Sequence, residues 1–440
     1  MTATHPDEAA TAEAAGGTPA ARKPGADDGS EPIRVTTLEL FFDLIFAFTL
    51  TQLAAVLAPA MTGSSVLRVL LIFGLLWWMY GGYAWLTNTR SPVGTPERLL
   101  LVLGMTGFLI VGLAIPGALV RRDGLVLGLG YLLVVVVHSA LYLRLNRNIL
   151  RIAPFNLASA LLVIIAGFTH GAAAYVLWAA ALLIQAGSPL VVHVGGRFDI
   201  RPAHFAERHG ALLIVAIGES VAAIGIGAAV VRHGAAVVRH GIDAQLVVAA
   251  VLGLALSVAL WWLYFGNGDD ERGEHAMRAA DADRRPSLAL SGYFYAHMPM
   301  LLGIVFAAAG VAAAVSHGAR ASTPAALALG FGTAAFIAGT AGFRAALRTG
   351  PLRLRLATAA FALAVVPLGA LVAIEAQLAL VTAGIAVMLI AERISGPRRP
   401  AASYAANSAG SADTREPPSG GGPGGARPPG PATQPRPAGE

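Results

Sequence analysis

Residues 36–52 read TTLELFFDLIFAFTLTQ, and the apolar run that begins at Leu38 continues to Leu57, just short of Pro59. A helix of about 20 apolar residues is long enough to cross a hydrocarbon core of about 30 Å. The apolar residues are continuous rather than alternating, which selects a helix over a barrel strand. Two acids interrupt the run. Glu39 and Asp43 stand one turn apart on the same face, and Thr51 and Gln52 follow two to three turns deeper. An acid at the centre of a bilayer costs about 2.5–3.5 kcal/mol on insertion scales, so it persists where it is paired or used.

The same pattern recurs along the chain. Helices are expected near 38–59, 66–87, 98–120, 124–145, 152–170, 172–193, 210–231, 243–266, 288–315, 323–343, 354–372 and 374–393. Two of the divisions are tight turns inside long apolar stretches, near His170-Gly171 and near Val372. The fold class is therefore all-α and integral to a membrane, with about twelve spanning helices. Residues 1–33 and 397–440 are Ala/Gly- and Pro/Gly-rich tails whose composition predicts disorder. The start lacks the basic and apolar regions of a cleaved leader, so the first helix is expected to act as an uncleaved signal anchor in a bacterial inner membrane.

Composition agrees. Of 440 residues, 56% are hydrophobic and 13% charged, against about 25% charged in a soluble domain. The net charge of +6 sits on arginines scattered through short loops, without the basic stripe and interleaved aromatics that would suggest nucleic acid as a partner. With the N-terminus in the cytoplasm, loops and helix ends on that side hold twenty arginines between Arg34 and Arg399, and the opposite side holds six. That bias predicts both termini inside and an even number of crossings. The chain has no cysteine, which removes thiolate chemistry and Cys-based metal sites. It has no GxxxxGK[ST], GxSxG or HExxH pattern, so neither an ATP-driven pump nor an enzyme is indicated, and no metal or cofactor is expected.

Two internal repeats stand out. The heptad AAVVRHG at 228–234 is followed at once by an identical copy at 235–241, which reads as padding. A longer repeat is more informative. A shift of 168 residues superposes Glu39 on Glu207 and Thr51-Gln52 on Glu219-Ser220, and Trp77-Trp78-Met79-Tyr80 is matched by Trp261-Trp262-Leu263-Tyr264. With six helices per half, residues 34–196 and 197–396 form two parallel repeats about an axis along the membrane normal.

Several polar residues fall inside predicted spans. Glu219 lies about ten residues into the seventh span, near mid-membrane, where it can serve as a proton or cation site or as a neutral acid bonded to a neighbouring helix. Glu39 and Asp43 can cap the first span, pair with Arg34 or other loop arginines, or line a pathway. Glu207, Arg208 and His209 form a charged cluster at an interface, the usual position of an anchor. His138 and His297 are lone imidazoles in apolar runs, each more often a packing residue than a relay. Asn88 and Asn267 end the two WWxY helices, whose Trp and Tyr read as an interfacial aromatic belt. Gly104, Gly107, Gly112, Gly218 and Gly225 suggest close helix contacts.

The segment Thr36–Gln52, with His204–Gly225 (HFAERHGALLIVAIGESVAAIG), Trp261–Phe265 and Tyr295–Gly303, resembles the low temperature requirement protein A family over about residues 34–393. The resemblance implies a multi-pass membrane protein connected with growth in the cold, and it carries over no catalytic residue. Glu39, Phe42, Asp43, Glu207, Arg208 and Glu219 match motif positions. Phe42-Asp43 is also similar to part of a motif in the first helix of lysosomal-type potassium channels with two six-helix repeats, without that motif's serine. Three functions stay open: a proton- or cation-coupled transporter of a small solute, an ion channel lined by the first and seventh helices, and a non-transporting protein that alters lipid or envelope properties. The lipid bilayer is a partner in all three, and the oligomeric state is left undefined.

Overall fold

The computed structural model describes residues 35–58, 61–90, 94–118, 123–145, 149–191, 200–233, 244–317 and 322–395. Both tails and the second heptad copy lie outside them. Every regular element among the described residues is helical. In chain order these are α1 (Thr37–Leu57), α2 (Gly63–Thr89), α3 (Thr95–Ala114), α4 (Gly124–Leu143), α5 (Ile149–Ala166), α6 (Ala172–Val191), α7 (Pro202–His233) and α8 (Ala244–Trp261). There follow α9 (Asp269–Ala279), α10 (Arg285–Leu288), α11 (His297–His317), α12 (Thr323–Leu347), α13 (Arg353–Ala364), α14 (Val366–Leu371) and α15 (Ile374–Ser395). The backbone widens into π-turns over Trp262–Gly266 and Ala289–Tyr295.

Among the described residues ten helical stretches are long and apolar enough to cross a membrane. The residues Ala172–Ser188 of α6 form a shorter apolar helix. Both tight divisions fall where the sequence predicts. Gly171 turns between α5 and α6 at φ +62°, a conformation that costs glycine little, and the chain breaks at Val372 between α14 and α15.

The polar helix α9 is the element the apolar pattern passes over. Its sequence DDERGEHAMRA puts Asp269, Asp270 and Glu271 in the first turn and Arg278 in the last, which suits the helix dipole. Asp269, Gly273 and Met277, spaced four apart, are its buried face.

The stretch Arg285–Ser316 is innermost, with 83% of its apolar window buried, against 28% for Arg353–Leu371. The outer helices carry exposed leucines such as Leu183 and Leu371, as expected of surfaces in lipid. Small residues let α11 and α12 touch. A Cβ on Gly303 would stand 2.6 Å from the Gly332 carbonyl. The expected glycine contacts occur at Gly104, Gly107 and Gly112, which meet Tyr83, Gly130 and Phe48. Gly218 and Gly225 correct that expectation: they sit on the exposed side of α7, with nothing within 4 Å of an added Cβ.

α1 and α7 pack side by side and run in the same direction. The contacts advance together along both, from Val35–Glu207 through Asp43–Arg208 to Thr51–Glu219.

Candidate functional site

α1 begins with a capping box. The Thr36 hydroxyl accepts from the Glu39 amide at 3.3 Å, and the Glu39 carboxylate accepts from the Thr36 amide at 2.9 Å. Capping is only part of Glu39's role. Its side chain is fully buried and receives Arg208 Nη1 at 3.2 Å and faces His204 Nε2 at 3.2 Å. One turn on, Asp43 is equally buried and receives Arg208 Nη2 at 3.3 Å and the Tyr80 hydroxyl at 2.9 Å. Arg208 of α7 is therefore a partner of both Glu39 and Asp43; the expected pairing with Arg34 lies outside the described residues. Arg208 is 1% exposed.

The guanidinium donates further to the Thr87 hydroxyl and lies 5.5 Å from the Phe42 ring centroid and 5.6 Å from that of Tyr80. Such stacking suits a weakly hydrated planar cation. Asn88 closes the end of the cluster: its Nδ2 donates to the Arg201 carbonyl at 3.0 Å and lies 3.3 Å from His204 Nδ1, and its Oδ1 accepts from the Arg201 amide. Asp43 Oδ2 and Arg208 Nε are buried without a hydrogen-bond partner among the described residues.

The WWxY residues divide. Trp77 and Tyr80 are not an interfacial belt: they are 1% and 0% exposed and form part of this site, whereas Trp261 and Trp262 are exposed. The indole of Trp77 donates to the Phe294 carbonyl.

Eleven residues beyond Arg208, Glu219 is half-buried and accepts a hydrogen bond from the Thr51 hydroxyl of α1. Both line a small cavity of about 50 Å³ among α1, α7 and α11, whose other walls are Leu50, Ala54, Ala55, Ala58, Ile304, Val305, Ala308, Ala309 and Ala312. Gln52 is half-buried on α1. Glu207 is exposed and accepts from the Val35 amide at 3.1 Å.

The two lone imidazoles stand apart. His138 of α4 is buried against Gly82, Tyr83 and Tyr142. His297 is stacked on Tyr293 and packed edge-on against His209, Tyr264 and Phe343, with Nδ1 3.1 Å from the Gly292 carbonyl. The structure brings neither to Glu219 or Arg208. Among the described residues no group of three or more His, Asp or Glu side chains is placed to hold a metal ion.

A second ion cluster has no counterpart in the sequence reading. Asp269 of α9 receives Arg344 Nε at 2.9 Å, Arg355 Nη2 at 2.7 Å and Arg272 Nη2 at 2.5 Å. Glu392 of α15 receives Arg344 Nη1 at 2.7 Å and Nη2 at 3.0 Å, Arg355 Nε at 3.3 Å and Asn267 Nδ2 at 2.6 Å. Asn267, whose backbone caps the π-turn over Trp262–Gly266, thus also belongs to an ion cluster. Arg344 and Arg355, which count as loop charges in the arginine bias, are 4% and 0% exposed at their side chains. The available signal was Glu392 itself, an acid at the end of an apolar run.

Fold and site together define a multi-pass helical membrane protein with a buried acid–arginine cluster between two parallel helices. More particularly, the chain belongs to the bacterial low temperature requirement A (LtrA) family, whose model matches residues 34–391. It is also 28% identical over 307 residues to an uncharacterized protein of Rhizobium meliloti (strain 1021), an alignment covering 66% of this chain and 72% of that protein. No solved structure matches the chain.

Proposed function

We propose that the chain is a secondary transporter of a small solute, coupled to protons or cations, with twelve crossings in two six-helix halves and both termini on the cytoplasmic side of the bacterial inner membrane. The observation that carries this reading is a charge count. Glu39 and Asp43 face one guanidinium, that of Arg208, and all three are out of water. A buried net charge is costly, so the neutral form of the cluster holds one further proton. Loss of that proton leaves a negative charge between α1 and α7 that an entering cation can replace. Such an exchange is the minimum device for coupling. Glu219, farther along the same helix and open to a cavity, supplies a second carboxyl on the same contact.

The common direction of α1 and α7 supports two parallel halves, because five intervening crossings return the chain to the same orientation. Their contact register matches the 168-residue offset seen in the sequence, since Thr51 meets Glu219. The arginine bias supports the inward termini.

A proteoliposome assay tests the reading. The full chain is reconstituted with a trapped pH-sensitive dye and challenged with amino acids, sugars, organic acids and organic amines. The expected result is a change of internal pH with at least one class, lost in Glu219→Gln and in Asp43→Asn. An internal pH that responds to none of them, responses unchanged in both variants, or currents that run without any coupled gradient would overturn it.

A further inference from the structure

The donors around the α1–α7 cluster leave one carboxylate oxygen free. Both oxygens of Glu39 are occupied. Oε1 faces Arg208 Nη1 and His204 Nε2, each at 3.2 Å. Oε2 accepts from the Thr36 amide at 2.9 Å and the Thr36 hydroxyl at 2.8 Å. The two oxygens of Asp43 differ. Oδ1 accepts from the Tyr80 hydroxyl at 2.9 Å and from Arg208 Nη2 at 3.3 Å. Oδ2 is buried with no hydrogen-bond partner among the described residues. Arg208 of α7, Tyr80 of α2 and Glu39 of the same helix are the charged and titratable groups that face Asp43. His204 lies beyond Glu39.

These bonds decide where a further proton can sit. The Arg201 backbone orients Asn88: its Oδ1 accepts from the amide at 3.1 Å and its Nδ2 donates to the carbonyl at 3.0 Å. The same Nδ2 lies 3.3 Å from His204 Nδ1, which must therefore accept. A ring nitrogen that accepts carries no hydrogen. His204 is thus a neutral imidazole, with its hydrogen on Nε2 and directed at Glu39. Arg208 keeps its charge at every ordinary pH. Glu39 stays ionised, because a proton on either oxygen would displace a donor already there. Asp43 Oδ2 alone can take a proton without displacing anything. The same count disfavours a metal ion. A hard divalent cation needs about six oxygens, and alkali ions also exchange their hydration shell for several. This cluster has one free oxygen, on a carboxylate that already holds a guanidinium.

We propose that the coupling ion is the proton, held on Oδ2 of Asp43, and that sodium and potassium do not bind there. This names the ion of the transporter reading and rests on that reading for its purpose, although proton binding is measured separately from movement. Binding forms one O–H bond at Oδ2 and release breaks it. The protonated state leaves Glu39 and Arg208 as a balanced pair, and the released state leaves one negative charge.

Infrared spectroscopy of the full chain in lipid films tests it, because a protonated carboxyl has a C=O stretch distinct from that of a carboxylate. The film is titrated with pH in choline chloride and again in sodium or potassium chloride. The expected result is a protonated-carboxyl band that titrates away as pH rises, is absent from Asp43→Asn and persists in Glu219→Gln. Its midpoint should be the same in all three salts. If Asp43→Asn does not fold, Tyr80→Phe decides the assignment. Tyr80 donates to the ionised form, so its loss should raise the midpoint, equivalent to proton binding several-fold tighter. The proposal is overturned by the lack of any such band, by a band unchanged in folded Asp43→Asn, or, where that variant fails to fold, by a midpoint unmoved in Tyr80→Phe. A midpoint lowered tenfold in proton affinity by sodium or potassium would also overturn it, since those ions would then compete for the site. An Asp43 band without any solute-dependent pH change in proteoliposomes would leave this inference standing and defeat the transporter reading. Solute movement driven by a sodium or potassium gradient, with no Asp43 band, would defeat this inference alone.

Discussion

The molecule buries two ion clusters of similar composition and opposite balance. Between α9, α12, α13 and α15, Asp269 and Glu392 meet Arg344 and Arg355, with Arg272 at the rim. Two acids face two buried bases. Arg344 grips Glu392 with both terminal nitrogens at 2.7 and 3.0 Å while its Nε holds Asp269 at 2.9 Å. Between α1 and α7, two acids face one guanidinium at 3.2 and 3.3 Å, and one oxygen of Asp43 has no partner among the described residues. The balanced cluster has nothing to gain by exchanging a proton, and its bidentate geometry is of the strong kind. It is suited to pinning four helices together. The unbalanced cluster is looser and has a vacant acceptor, and its charge is completed only by something mobile. Burial alone does not separate structure from function here; the count of charges does.

That contrast is most exposed to test at Asp269. Asp269→Asn leaves Arg344 and Arg355 sharing only Glu392, and breaking a buried pair from one side costs about 3–5 kcal/mol. The thermal midpoint of the purified chain in detergent should fall sharply, with a matching loss of yield. A parent-like midpoint would mean that this cluster does not hold the helices. A smaller effect is expected at Thr87, whose hydroxyl accepts from Arg208 Nη1. Thr87→Val keeps the shape and removes an acceptor from a charged donor, a change of about 1.5–3 kcal/mol by the same melt. If it costs nothing, Arg208 is held by its carboxylates alone and the α1–α7 cluster is tighter than its distances suggest.

The two clusters were unequally legible. Glu39, Asp43 and Glu219 could be found because an acid inside an apolar run stands against its background. Arg208 was visible as a residue but not as their partner, since the pairing spans 165 to 169 positions of sequence. The 168-residue offset between similar motifs held the clue: it is the register in which α1 and α7 touch. Asp269, Arg344 and Arg355 lie near the ends of apolar segments, where charges are ordinary, so Glu392 at the end of the last run is the one local signal of their cluster. Their separations of 75 and 48 positions are set by how α9, α12 and α15 pack. For the same reason the two WWxY segments look alike in sequence, yet Trp77 is buried against Phe46 of α1 while Trp261 and Trp262 are exposed, with Tyr80 and Tyr264 buried in both.

The sharpest test of the comparison is the substitution expected to do least to stability. Asp43→Asn keeps the side-chain shape, and its carbonyl can still accept from Tyr80 and Arg208 in place of the carboxylate oxygen that does so now. It removes one negative charge, which leaves Glu39 and Arg208 as a balanced pair. The amide nitrogen takes the position of an oxygen that already lacked a partner, so little is gained or lost there. The change in unfolding free energy should be within about 1 kcal/mol, although the residue is as buried as Asp269. In proteoliposomes the same variant should lose its solute-dependent pH response, because the balanced cluster no longer needs the extra proton. Chemically the same replacement would then wreck the fold at one site and spare it at the other while silencing coupling. If Asp43→Asn instead lowers the thermal midpoint as far as Asp269→Asn does, the proton count at α1–α7 is wrong. Both clusters would then be clamps, and coupling would have to be sought at Glu219 alone.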